Sequence, residues 1–293
     1  MLLTGASGFL GGVIQKTLHG HDIITLGRSG QDINLDISQD IPLLPKVDII
    51  IHAAGKAHTI PHSEEEKTDF FNVNVRGTNN LLAALTSKNL PQAIIFISSV
   101  SVYGLIEGTN ITETHPLAAT DPYGISKIEA ERIVSNWAIA NGVKCAILRL
   151  PLIAGPNPPG NLNAMIRSIQ KGYYFNIKGN EAKKSIVLAD DVAGIMLAAA
   201  STGGVYNLTD ASHPHVTELS YLIADQLKKR RPKMLNTRLV HLMARIGNLL
   251  GPNAPLTSYK VRKILSTLTF DDSLAKAKLG WNPRPVLEQF KIS

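Results

Sequence analysis

The segment Thr4-Gly5-Ala6-Ser7-Gly8-Phe9-Leu10-Gly11 constrains the fold more than any other part of the sequence. It directly follows a short apolar strand at residues 1–3 and opens an apolar-periodic stretch at 9–18. Glycines at 5, 8 and 11 leave no side chain between a strand end and the helix after it, so backbone amides and the positive end of that helix can approach a pyrophosphate. In this position the turn reads as a dinucleotide-binding loop, the alternative being a purely structural tight turn.

The rest of the chain extends that pattern. Apolar runs of strand length at 1–3, 23–26, 47–52, 93–98 and 143–148 alternate with helix-period segments at 9–18, 64–87 and 121–141. Such alternation predicts βαβ units, hence an α/β fold with a doubly wound parallel sheet and helices on both faces. Residues 1–155 form the expected dinucleotide-binding domain, and 183–208 return to it. The Gly-, Pro- and Asn-rich stretch 155–161 leads into a smaller lobe built from 156–182 and 209–293. A length of 293 residues suits one large domain or two small ones.

Composition narrows the classes of function. With 44% hydrophobic and 18% charged residues the chain is globular, and no apolar stretch reaches the roughly 18–20 residues of a membrane span. A cytoplasmic protein is expected. The single cysteine, Cys145, lies in an apolar run and reads as a spectator thiol. The net charge of +7 would suit nucleic acid, a membrane surface or phosphorylated ligands. Nucleic acid is disfavoured because aromatics are only 5% and none interleaves with the basic stretches. Lys228-Lys229-Arg230-Arg231 reads as the cationic end of a helix, and the apolar-basic stretch 234–250 as a helix covering the lobe rather than one lying on a membrane.

Several residues point to chemistry. The second strand is followed by Gly27-Arg28-Ser29, with no carboxylate to accept from a ribose 2′-hydroxyl. A cation there favours a 2′-phosphate and so NADP; Arg28 stacked on adenine would leave NAD open. Asp36 and Ile37, after a short third strand, are placed to bracket the adenine. Tyr123 and Lys127 stand four apart after Asp121, a capping residue, and Pro122, so both side chains lie on one helix face. A phenol of pKa about 10 is a poor acid-base catalyst near neutrality, and a neighbouring ammonium and helix N-terminus would bring Tyr123 down. Ser98 and Ser99 end the strand at 93–98, where a hydroxyl faces either the ligand crevice or its own strand end.

Together the GASGFLG turn, His52-Ala53-Ala54, Asn74-Val75-Arg76-Gly77-Thr78, SSVSVYG, YGISK, Arg149-Leu150-Pro151 and Asp190-Asp191-Val192-Ala193 resemble the extended short-chain dehydrogenase/reductases, the NAD-dependent epimerase/dehydratases. The resemblance covers essentially the whole chain and implies a Rossmann-type sheet with a smaller C-terminal α/β substrate lobe. It assigns Ser99 as the catalytic hydroxyl, Tyr123 as the acid-base and Lys127 as the holder of the nicotinamide ribose. It also places Gly5, Ser7, Gly8, Phe9, Leu10 and Gly11 around the pyrophosphate, and Ala53, Ala54 and Gly55 along the nicotinamide, with Asn74 supporting that wall. Val100 and Ser101 stand where 4,6-dehydratases carry an Asp-Glu pair, which argues against dehydration.

The stretches 149–156, 184–187, 266–269 and 279–283 are similar to bacterial reductases of UDP-4-keto-6-deoxy-N-acetylhexosamines, enzymes of surface polysaccharide synthesis. By that similarity the UDP half of a substrate lies under the lobe, with Lys184 and Arg262 near its diphosphate and Asn161 near sugar or phosphate. NADP-dependent 4-keto reduction is the expected activity. A 4-epimerase with retained NAD is the alternative, and a non-catalytic nucleotide sensor on the same fold a remote one. No metal is expected. A homodimer through the helices at 64–87 and 121–141 is implied by resemblance.

Overall fold

A computed structural model describes residues 1–57, 61, 63–251 and 254–292. The first half runs β1 (Leu2–Thr4), α1 (Phe9–Thr17), β2 (Ile24–Gly27), β3 (Ile33–Asn34), β4 (Ile49–His52), α2 (Glu64–Phe71), a π turn (Asn72–Arg76), α3 (Gly77–Ala83), β5 (Ala93–Ser99), a 3-10 turn (Val100–Tyr103), β6 (Gly108–Ile111), α4 (Pro122–Asn141) and β7 (Lys144–Leu150). The second half runs β8 (Leu152–Ala154), α5 (Gly160–Gln170), β9 (Phe175–Ile177), β10 (Ile186–Leu188), α6 (Ala189–Gly194), α7 (Met196–Thr202), β11 (Gly204–Asn207), α8 (Val216–Gln226), β12 (Lys233–Leu235), α9 (Thr237–Leu249), α10 (Ser258–Leu265), β13 (Leu268–Phe270), α11 (Ser273–Leu279) and α12 (Val286–Gln289).

Seven of these strands form one sheet in the order β3-β2-β1-β4-β5-β7-β11, with every pairing parallel. The apolar runs read from the sequence are continuous because both faces are covered. Successive side chains go to opposite sides: Leu3, Ile51, Ile95 and Leu148 enter one core cluster, and Leu2, Ile50, Ile94 and Ile147 the other. Strand order reverses between β1 and β4, so the ligand crevice of this architecture lies at their carboxyl ends. That is where the glycine turn stands.

Helix α4 starts and stops as its sequence dictates. Asp121 caps it by accepting from the Gly124 amide at 3.0 Å, Pro122 occupies the first helical position, and Gly142 ends it in the left-handed region at φ 65°. The segment 64–87 is not the single helix its periodicity suggests. It passes through the π turn at Asn72–Arg76, where Asn and Val, both weak helix formers, follow one another.

The lobe has three two-stranded pairings: β8 with β10 on a core that includes Leu162, Ile166, Ile223 and Phe290, β9 with β12 on a second core with Val240, Ala244 and Val261, and β6 with β13 beside Val102 and Tyr103. Residues 183–208 divide: β10 pairs with β8, whereas Val192, Met196 and Ala199 of α6 and α7 pack into the large domain and β11 extends its sheet. Part of the tail expected in the lobe also returns. Ala275, Leu279 and Trp281 join the core of the large domain, where α7 and β11 meet the apolar face of α11, and Trp281 Nε1 donates to the Thr209 carbonyl at 3.1 Å.

One buried polar cluster ties α4 to the sheet. Arg149, at the end of β7, donates from Nε and Nη2 to both oxygens of Glu131 on α4, at 3.1 and 2.7 Å. Its Nη1 donates to the Tyr103 hydroxyl, which in turn donates to Asn207 on β11. Ser98 donates to Glu131 from the end of β5. Both ionic side chains are about 95% buried, their exposures being 6% and 5%. Removing one partner of such a pair leaves an uncompensated charge at a typical cost of about 3–5 kcal/mol. Glu131→Ala should therefore lower the free energy of urea unfolding by that amount; a loss below about 1 kcal/mol would show that the cluster does not hold the domain together.

Candidate active site

The glycine turn is set by backbone meeting backbone. Gly5 has φ +74°, and a Cβ there would lie 2.7 Å from the Ala53 carbonyl carbon. A Cβ on Gly11 would strike the Gly5 carbonyl oxygen. The Gly8 amide closes the turn on that same oxygen at 2.9 Å. No side chain caps the first turn of α1, whose N-terminal amides are left for a ligand. Ser7 and Gly8 are exposed at the turn, Phe9 is half-buried beside Gly155, and Leu10 and Gly11 are buried. Leu10 thus faces the core and offers a pyrophosphate only its backbone. The cradle fits a dinucleotide.

The adenosine end is less uniform. Arg28 is exposed just beyond β2. Asp36 accepts from both the amide and the hydroxyl of Ser38, at 2.9 and 2.7 Å, while Ile37 is buried in the core. Asp32, a carboxylate near this end, is turned back onto Thr25, accepting from its amide and hydroxyl at 2.8 Å each. Those bonds hold its pKa below the usual carboxylate range.

The wall of the crevice rests on a directed relay. The Ala54 amide donates to Thr4 Oγ1 (3.1 Å), Thr4 Oγ1 meets His52 Nδ1 (2.7 Å), His52 Nε2 meets Thr78 Oγ1 (2.9 Å), and Thr78 donates to the Asn74 carbonyl (2.6 Å). The ends assign the middle: Thr4 donates to Nδ1, and the imidazole carries its proton on Nε2. Burial, followed by the Lys127 charge, drives the His52 pKa down to about 3, so the ring is neutral. Asn74 projects from the π turn, accepts from the Lys56 amide at 2.7 Å, and donates to the Lys56 carbonyl and to Ser126 Oγ. It lies beside Gly55, whose Cβ would be 3.1 Å from Asn74 Oδ1.

Tyr123, Lys127 and Glu131 form one stripe on α4 at successive four-residue steps. Ser99, at the end of β5, lies beside the Tyr123 phenol, its Oγ donating to Ser101 Oγ and accepting from the Ser101 amide, each at 3.2 Å, as the cap of the 3-10 turn. Ser98 points instead to Glu131. The structure therefore brings Ser99, and not Ser98, to Tyr123. Lys127 Nζ donates to the Ile97 carbonyl at 2.6 Å and lies 4.0 Å from the centre of the Phe96 ring. Burial lowers its pKa to about 7, against the charge of Glu131.

Tyr123 does not follow the expected downward shift. Its pKa is raised, because burial outweighs the hydrogen bond from Ser99 and the Asp121 carboxylate adds to the rise. Burial disfavours phenolate, and Lys127, which was to offset it, is itself pushed toward its neutral form and has its Nζ spent on a backbone carbonyl.

The lobe candidates lie elsewhere. Lys184 Nζ is anchored to the carbonyls of Lys263 and Ser266 at the end of α10, and burial lowers its pKa to about 8. Arg262 pairs with Glu107 at 2.9 Å, and both are exposed. Asn161 is exposed in the first turn of α5. A diphosphate would have to compete with protein partners for both cations. Sequence reasoning left Glu131, Ser126, Phe96 and the partners of His52 without roles, although the Tyr123-Lys127-Glu131 spacing contained a signal for the first of these.

Residues 1–209 match the model of the NAD dependent epimerase/dehydratase family. An Escherichia coli O157:H7 protein, N-acetyl-alpha-D-glucosaminyl-diphospho-ditrans,octacis-undecaprenol 4-epimerase, is 27% identical over 292 residues, covering 92% of this chain and 87% of that relative. The GDP-6-deoxy-D-mannose reductase of Pseudomonas aeruginosa is 24% identical over 251 residues, covering 77% and 79%. Among solved structures, MoeE5 with UDP-glucose and NAD superposes with a TM-score of 0.76 at 21% identity, covering 98% of this chain and 94% of that one. RMD from Pseudomonas aeruginosa with NADPH gives 0.71 at 21% identity, covering 99% and 96%.

The buried lysine gives a pH signature. Between pH 7 and 10.5 Lys127 is neutral in the folded protein and protonated in the unfolded chain. The unfolded state then binds the extra proton, and stability rises with pH. Over this window the unfolding free energy of the wild type should climb more steeply than that of Lys127→Met, by up to about 1.4 kcal/mol per pH unit. Parallel urea-midpoint profiles for the two proteins would contradict the burial of a neutral amine.

Proposed function

Because the chain belongs to the NAD-dependent epimerase/dehydratase family, we propose that it is an NADPH-dependent 4-ketoreductase acting on a UDP-4-keto-6-deoxy-N-acetylhexosamine. The broader class is an NAD(P)-dependent nucleotide-sugar epimerase/reductase. The observation that carries the narrower proposal is Arg28, an exposed guanidinium beyond β2 with no carboxylate in 27–29. A guanidinium makes charge-assisted, often bidentate hydrogen bonds to phosphate, so it favours the 2′-phosphate of NADPH.

When bound, the nicotinamide cofactor supplies the hydride that the sugar C4 receives. Tyr123 gives its phenolic proton to the oxygen at C4, and its raised pKa keeps it in the protonated form that a donor needs. Ser99, beside that phenol, turns its hydroxyl from Ser101 to the same oxygen and stabilises the charge developing on it. Lys127 holds the nicotinamide ribose, exchanging its bond to the Ile97 carbonyl for ribose hydroxyls. Gly5, Ser7, Gly8, Phe9, Leu10 and Gly11 receive the pyrophosphate, Asp36 and Ile37 the adenine. Ala53, Ala54 and Gly55, braced by Asn74, line the nicotinamide. Asn161, Lys184 and Arg262 face the UDP half. α2 and α3 pack beside α4, and we assign that surface to a homodimer.

The second reading is a 4-epimerase that retains NAD, favoured by a relative whose name is that of a 4-epimerase. There Tyr123 would first take a proton from the C4 hydroxyl and later return it.

Purified protein given NADPH and a UDP-4-keto-6-deoxy-N-acetylhexosamine should consume one NADPH per sugar reduced, followed by absorbance and product NMR. Copurified NAD, with UDP-N-acetylglucosamine converted to its C4 epimer and no net redox change, would establish the epimerase instead. Tyr123→Phe should cut turnover by about 10²–10⁴-fold, and retention of more than about a tenth would remove Tyr123 from its role. Arg28→Ala should weaken NADPH binding by about tenfold or more while barely changing NADH, as read by titration of both. Equal losses would mean that Arg28 stacks on adenine.

A further inference from the structure

Helix α9 is built in reverse of a helix that merely covers a core. The residues it buries are small: Val240, Ala244 and Gly247, the last so tightly that a Cβ would strike the Leu256 carbonyl oxygen. Its large apolar side chains point outward. Leu239, Leu242, Met243, Ile246, Leu249 and Leu250 are 38–87% exposed and project over about 120° of the helix surface. Nine of the 17 large apolar side chains exposed among the described residues fall within 234–264, so this is a patch and not the usual scatter.

The segment that carries the patch has charge of one sign. Between Asp225 and Asp271 the chain has ten of its 30 Lys and Arg and none of its 23 Asp and Glu. The rest of the protein is net negative by three, so the entire positive excess resides in this segment. Arg231 and Arg262 are paired with Asp225 and Glu107. Arg238 and Arg245, seven residues apart, are exposed along one flank of the apolar stripe.

We propose that the outer face of α9 docks on an anionic lipid bilayer, its aliphatic stripe entering the headgroup boundary and the flanking cations meeting lipid phosphates. No described helix is long and apolar enough to cross a membrane, so the attachment is peripheral. A second copy of the chain is a poorer occupant. A two-fold contact sets the same patch against itself and would oppose two uncompensated basic surfaces. A nucleic acid would use the cations but leave the aliphatic stripe in water. The docking is independent of which nucleotide sugar the enzyme takes.

The test is cosedimentation of the full-length protein with vesicles of phosphatidylcholine containing about a third phosphatidylglycerol, alongside pure phosphatidylcholine. The wild type should partition to the anionic vesicles about tenfold or more in preference, and about 0.5 M salt should weaken it strongly. Leu242→Glu/Ile246→Glu and Arg238→Ser/Arg245→Ser should each reduce binding about tenfold or more while the circular dichroism spectrum and melting temperature stay at wild-type values. Two results would overturn the proposal. One is equal partition of wild type and both variants. The other is light-scattering mass showing an oligomer that Leu242→Glu/Ile246→Glu dissociates, which would make the face a contact between copies.

Discussion

The active-site geometry depends on the bidentate pair between Arg149 and Glu131. It is the bond by which a helix reaches across to strand ends. Lys127 and Tyr123 sit one and two turns before Glu131 on α4, whereas Ser99 belongs to β5. Arg149 comes from β7, paired directly with β5, and Ser98 on β5 donates to the same carboxylate. Two adjacent strands therefore grip one residue of the helix. The catalytic candidates inherit their spacing from that grip, since neither Tyr123 nor Lys127 has a partner of comparable strength.

Burial accounts for the electrostatics of the crevice more than ion pairing does. His52, Lys127 and Tyr123 are all pushed toward their neutral forms, with desolvation as the largest cause for each. A crevice whose resident groups are pushed toward neutrality suits ligands that bring their own charge. The polar wall adds to this, because Asn74, Ser126, Thr4 and Thr78 satisfy one another and the backbone without an ion among them.

Much of this was legible in the sequence, and each exception has a physical cause. The sheet, the glycine turn and the Tyr123–Lys127 face are local patterns of period two, three-residue spacing and period four. The π turn was not legible, since an extra residue in a helix leaves the apolar pattern almost intact. The anchoring of Lys184, expected near a diphosphate, was not legible because its partners, the carbonyls of Lys263 and Ser266, lie some 80 residues away and carry no side-chain signature. Trp281 joined the large domain against expectation for the same reason: its contact with Thr209 is made by a carbonyl. The Tyr123 shift was misjudged because spacing shows which groups are neighbours but not how much water surrounds them.

The relay through His52 has a further consequence. It begins at an amide that can only donate and ends at a carbonyl that can only accept, and each hydroxyl and nitrogen between them gives or takes once. Only one arrangement of hydrogens fits. A second proton on the imidazole would sit on Nδ1 and face the Thr4 hydroxyl that now donates to it, so Thr4 would have to turn its hydrogen away for the ring to charge. Although the relay links two hydroxyls and an imidazole, it is set in one direction. The backbone at Ala54 is thereby held by a neutral, one-way set of bonds, and protonation of His52 would cost that wall its order before it gained a charge.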